Sequence, residues 1–248
     1  MTALRTVITA TLHQLFSGRR PILLGLLAVL PPVVTFFVVR GVSEGVALRR
    51  FHDVSITLLF ILVLPLVALV LGAAALGDER RDTTLTVLVL RPMRRETIVG
   101  AKLAAAWIAV TAIVGGAAAA SGIVLGVAAG VWEPLVPLVL GIALSALGYV
   151  AVFLILGYLT PRAVLIGLIY VFIWENAISF TVDGFAVLSL FRIGITGYAA
   201  MVDLAPRFLS DVLGSLDPGM YGAAAKAIGV AVVATMAGAW MLRRRDIA

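Results

Sequence analysis

No cysteine occurs anywhere in the chain, which excludes disulfides and thiolate metal sites and leaves the redox compartment open. Histidine is almost as scarce. His13 and His52 are the only imidazoles, neither sits in an H-E-x-x-H pattern, and no G-x-S-x-G stretch accompanies them. They are expected on opposite sides of a membrane, so a paired-histidine metal site is denied, and no catalytic or metal-ligating residue is assigned. Lysine also occurs twice, as Lys102 between Ala101 and Leu103 and as Lys226 between Ala225 and Ala227. Neither can belong to the G-x-x-x-x-G-K-S/T loop that cradles phosphates, so any ATP hydrolysis resides on another chain. Charge itself is thin. Charged residues are 13% of the 248 and hydrophobic residues 62%, against about 25% charged in ordinary soluble domains.

What is present is a series of apolar runs near the twenty-residue length that crosses hydrocarbon. The chain reads as an all-α integral membrane protein, because the short alternating segments of a transmembrane barrel are lacking. Six spans are expected, at about 21–39, 54–76, 98–129, 135–159, 163–180 and 221–242, with Pro65 a kink in the second. The third is longer than hydrocarbon requires, so its start projects beyond the membrane. The first run is long, carries Pro31-Pro32 and lacks a small-x-small exit, so it reads as an uncleaved span. Arg19-Arg20 reads as its charge anchor rather than a twin-arginine signal. Ahead of it, Leu4, Ile8, Leu12 and Leu15/Phe16 fall on one face of a helix over 2–17. Such a helix either lies along the membrane surface or extends the first span into the cytoplasm.

The net charge of +6 invites a nucleic-acid partner, but the basic residues gather beside span ends instead of forming a soluble patch. With both termini in the cytoplasm, thirteen lysines and arginines lie inside and six outside, the arrangement that the positive-inside rule favours. The expected location is the cell membrane.

One cytoplasmic stretch stands out. From Gly77 to Leu103, GDERRDTTLTVLVLRPMRRETIVGAKL, ten of twenty-seven residues are ionisable. Asp82 is suited to cap a helix. Leu85, Leu88 and Val89 then share one face at i, i+3 and i+4, and Pro92 ends the helix at Arg91. Two turns are marginal alone in water, so this helix needs a surface on which to bury its stripe. Lipid or another protein would serve.

These residues resemble the cytoplasmic loop of type 2 ATP-binding-cassette (ABC) transporter permeases. That family's pattern is an acid, then Gly-Thr-Leu, a short apolar helix, and Pro-x-Ser-Arg-x-x-Ile-x-x-Gly-Lys. Glu79 matches the acid and Thr84-Leu85 the Thr-Leu, while Pro92, Arg95, Ile98 and Lys102 keep the spacing. Thr83, Arg94 and Ala101 depart from it at the glycine, serine and second glycine. The resemblance implies a single permease domain over 1–248, with the short helix as the coupling helix that docks on a separate ATPase. Its contact residues would be Glu79, Arg80, Arg81, Leu85, Leu88, Val89, Arg91, Pro92 and Arg95, an apolar ridge for burial with charges that select the partner. It further implies two ATPase subunits carrying ATP and magnesium, a second permease copy or a homologous permease, an export direction, and short external helices before the last span.

Three further features stand apart. Gly122, Gly126 and Gly130 let a helix approach closely, within one subunit or between protomers. Glu175 and Asn176 are strong polar groups deep in the fifth span, and they either line the substrate path and external gate or simply reach the external interface. The stretch 181–220 is too apolar for a plain loop. Two other classes remain open: an ion-coupled secondary transporter, which would be expected to carry repeats and midplane charges, and a membrane partner that docks an ATPase without transporting. Apolar spans and the lack of a large external domain favour a hydrophobic small molecule or lipid as cargo.

Overall fold

The structure, a computed structural model, describes residues 2–81, 94–178, 189–202 and 219–245. Among the described residues the chain is helical throughout, with no strand. Helix α1 is Thr2–Leu15 and α2 is Arg20–Val39. Helix α3 runs unbroken through Glu44–Val54, Ser55–Val63 and Leu64–Arg81. Helix α4 is Arg95–Ala129, α5 is Leu135–Leu159, and α6 joins Ala163–Ile169 to Tyr170–Ile178. Helix α7 is Phe191–Ala199 and α8 is Gly219–Arg245. Five of these, α2, α3, α4, α5 and α8, are long and apolar enough to cross a membrane, and α6 is a shorter apolar helix.

Helix α3 begins ten residues before the expected second span. The added stretch, EGVALRRFHDV, has a polar mean composition, which is why an apolar run does not betray it. Its burial is nevertheless periodic: Ala47 and Phe51 are fully buried at i and i+4 while Arg49, Arg50 and Asp53 face outward. The helix passes Pro65 without a break. A proline ring collides with the carbonyl four residues back, and the turns over Ser55–Val63, just ahead of it, are widened to the π type that relieves such a collision. Helix α1 forms where expected but packs on α4 through Val7, Thr11 and Leu15. Leu4 and Phe16 of the anticipated stripe are exposed.

The centre of the bundle is the pair α3 and α5. In each, 61% of the apolar stretch is buried, against 28% in α2 and α8. Their crossing depends on glycine. A Cβ on Gly77 would lie 2.9 Å from the Gly157 carbonyl oxygen, and one on Gly157 would collide with the Ala73 backbone. The two backbones therefore touch one turn from Asp78, Glu79 and Arg80. At the other end of the bundle, Gly141 of α5 meets Gly194 of α7, where a Cβ on Gly141 would come within 2.8 Å of the Gly194 oxygen.

Gly157→Val should cost about 1–3 kcal/mol through overpacking and visibly lower the melting temperature of the detergent-solubilised protein. Gly116→Ala, whose new methyl meets nothing within 4 Å, should leave that temperature unchanged or raise it slightly.

Candidate functional site

The first candidate is built from the ends of α3 and α4, which flank the 82–93 segment. On α4, Ile98, Ala101, Lys102, Ala105 and Ala109 form a single buried face. Lys102 is fully buried, and its ammonium needs acceptors from the neighbouring helix. Ala75 and Glu79, one turn apart on α3, supply them. Lys102 Nζ donates to the Ala75 carbonyl at 2.9 Å and to Glu79 Oε1 at 2.5 Å. Glu79 Oε2 has no hydrogen-bond partner among the described residues.

Around this pair the other helix ends at the same face are tied by charge. Arg20 at the start of α2 bonds Asp78 at 2.5 Å. Arg80 donates to the Tyr158 carbonyl of α5 and lies 5.7 Å from that tyrosine's ring centroid. Arg243 of α8 pairs with Glu96 of α4, both well exposed. The exposed pair contributes little in water, whereas the buried one is costly to break, because removing either partner strands the other charge. Of the coupling residues read from the sequence, Glu79 and Arg80 stand here and Arg95 opens α4. Arg81 ends α3, and Leu85, Leu88, Val89, Arg91 and Pro92 lie outside the described residues. Lys102 entered the sequence reading as a matching motif position, and only its burial against Glu79 reveals a structural task.

Glu175 is 3% exposed, and a second polar cluster surrounds it. Its Oε1 accepts from the Tyr149 hydroxyl at 2.9 Å, the Ser189 hydroxyl at 3.1 Å and the Phe191 N–H, while Tyr170 reaches Oε2 at 3.5 Å. Phe191 is the first residue of α7, a helix packed among α3, α5 and α8. A helix start buried away from water needs acceptors for its free N–H groups. The Glu175 carboxylate provides one and Ser189 Oγ, accepting from the Arg192 N–H at 3.3 Å, another. The carbonyls of the same turn are met as well. Ser145 donates to Leu190 O at 3.1 Å and Lys226 to Ser189 O at 2.7 Å. Glu175 is thus buried among the helices and caps α7; the side chain of Asn176 is not among the described residues. Most of the 181–220 stretch lies outside the described residues, and α7, the helix described within it, is buried.

The glycine series divides. Cβ atoms on Gly122 and Gly126 would strike Leu135 and Trp132, in the turn that leads into α5, so both serve packing within the chain. Gly130 packs against nothing within 4 Å. It adopts φ +76° and terminates α4, its N–H returning to the Gly126 carbonyl at 3.0 Å.

Five helices long and apolar enough to cross a membrane define a multi-pass membrane protein. A sequence profile described as "ABC-2 family transporter protein" matches residues 19–182, which is 164 of the 248 residues, and the chain belongs to that family. Its members are transmembrane subunits that do not themselves hydrolyse ATP and normally partner with ABC ATPase subunits. No curated protein matches the chain at a significant level.

Lys102→Met should cost about 3–5 kcal/mol, the penalty for a stranded buried charge. Adding Glu79→Gln should recover much of the lost melting temperature. Glu175→Ala, which strips the acceptor from four donors, should lower that temperature far more than Tyr170→Phe, which removes only the 3.5 Å bond.

Proposed function

We propose that this chain is the transmembrane permease subunit of an ABC exporter, forming the translocation path and coupling it to ATP hydrolysis on a separate ATPase. The observation that carries this reading is the buried Lys102–Glu79 pair. It joins the helix that enters the 82–93 segment to the helix that leaves it, beside the glycine crossing of α3 on α5. A push on that segment would therefore move α3, α4 and α5 together rather than bend one free end. The segment acts as the coupling helix, seating Leu85, Leu88 and Val89 in a groove on the ATPase, with Arg81, Arg91 and Arg95 around the rim and Pro92 as its stop.

In this reading α6 is the fifth of six spans, both termini and the charged helix ends face the cytoplasm, and α1 lies at the inner membrane surface. The whole chain works as one permease domain. Two ATPase subunits bind ATP and magnesium, and a second permease, identical or homologous, completes the path. The cargo is a hydrophobic small molecule or lipid, in keeping with spans that offer few polar contacts. Ion-coupled transport fits less well, since the two buried charges with bundle partners, Glu175 and Lys102, are engaged by helix capping and helix fastening.

Reconstituted with its ATPase, the protein should transport with ATP and stay idle under a proton gradient alone. Leu88→Asp should abolish ATPase co-purification while leaving membrane insertion intact. Undiminished co-purification of that variant would sink the coupling assignment.

A further inference from the structure

Between α5 and α8 runs an open groove of about 480 Å³. Ala151, Val152 and Ile155 form one wall, and Gly229, Val233 and Ala237 the other, with Lys226 at one end. The lining is otherwise wholly apolar. Gly229 is exposed, and a Cβ built on it would meet nothing within 4 Å, so the groove is vacant in front of it.

Length and charge define an occupant. Lys226 and Ala237 are eleven residues apart on one helix, about 16 Å at helical rise, roughly half the ~30 Å hydrocarbon thickness. Lys226 also lies seventeen residues from Arg243, about 25 Å. Arg243 marks the charged end of the bundle, so Lys226 stands at the headgroup depth of the opposite leaflet. One ammonium hydrogen goes to Ser189 O, leaving two for a ligand. Among the described residues, Lys226 feels one carboxylate, Glu175, and one further cation, Arg192. The carboxylate is buried and already accepts from four donors, so among the described residues this end of the groove carries an excess of positive charge.

We infer that the α5–α8 groove holds one acyl chain of a resident anionic phospholipid from the leaflet opposite the Arg243 end, its phosphate on Lys226. This rests on membrane embedding alone and is independent of any ATPase. The lipid seals the seam between α5 and a helix, α8, that is little buried by the rest of the protein.

The test is native mass spectrometry of the full-length protein offered phosphatidylglycerol and phosphatidylcholine with identical chains. The wild type should retain one phosphatidylglycerol with about fivefold preference, the worth of one basic residue near an anionic surface. Lys226→Gln should abolish the preference and Lys226→Arg keep it. Gly229→Leu leaves Lys226 in place and projects into open space, and it should reduce retention of both lipids. Equal retention of the two lipids by the wild type, or undiminished retention by Gly229→Leu, overturns the inference. So does disulfide cross-linking of two copies through Gly229→Cys, which a cysteine-free chain reports cleanly and which would put a second subunit in the groove. ATP-driven transfer of the retained phosphatidylglycerol between leaflets would make it cargo and likewise defeat the resident role.

Discussion

A buried ammonium group requires acceptors, and hydrocarbon offers none. Lys102 therefore obliges α4 to stay against α3, where Glu79 and the Ala75 carbonyl wait. The pairing works only because the helices are already close. Gly77 and Gly157 let α3 and α5 touch backbone to backbone, and Arg80 binds the Tyr158 carbonyl on the next residue. Charge fastening and glycine packing thus act on the same few residues at one end of the bundle. That end flanks the most charged stretch in the chain.

The opposite half of the bundle obeys the same rule with different parts. Helix α7 is short and buried, so its first turn has no water to satisfy it. Glu175, Ser145 and Lys226 replace that water from three other elements and Ser189 from within the turn, each serving one backbone group of residues 189–192. Glycines again allow the approach, with Gly194 set against Gly141, Ser145 and Phe60. A carboxylate in an apolar helix suggests transported ions. Here its surroundings are those of a helix cap, and the nearby lysine belongs to the same arrangement.

Much of the membrane architecture was legible in one dimension. Apolar runs located α2, α4, α5 and α8 to within a few residues, because hydrocarbon thickness dictates their length. The start of α3 was hidden, since residues 44–54 bury only one face and carry charges on the other. The glycine spacing at 122, 126 and 130 signalled close approach, yet whether a glycine admits a side chain from the next turn or ends its own helix depends on backbone angles. Gly130 does the latter at φ +76°. The stripe of α1 was displaced as well, with Val7, Thr11 and Leu15 taking the packed face, because an apolar surface against lipid and one against protein look alike in composition.

The sequence by itself determined that the chain lives in a membrane as helices, that it carries no ATP-binding loop, and that its charge gathers where a partner is expected. Those properties follow from composition and local spacing, which are written along the chain. Only the tertiary structure decided that Lys102 meets Glu79, that Glu175 caps a buried helix, and that Lys226 ends an open groove. Each joins residues from 16 to 51 positions apart, and such pairings exist only once close-packed helices have chosen their neighbours.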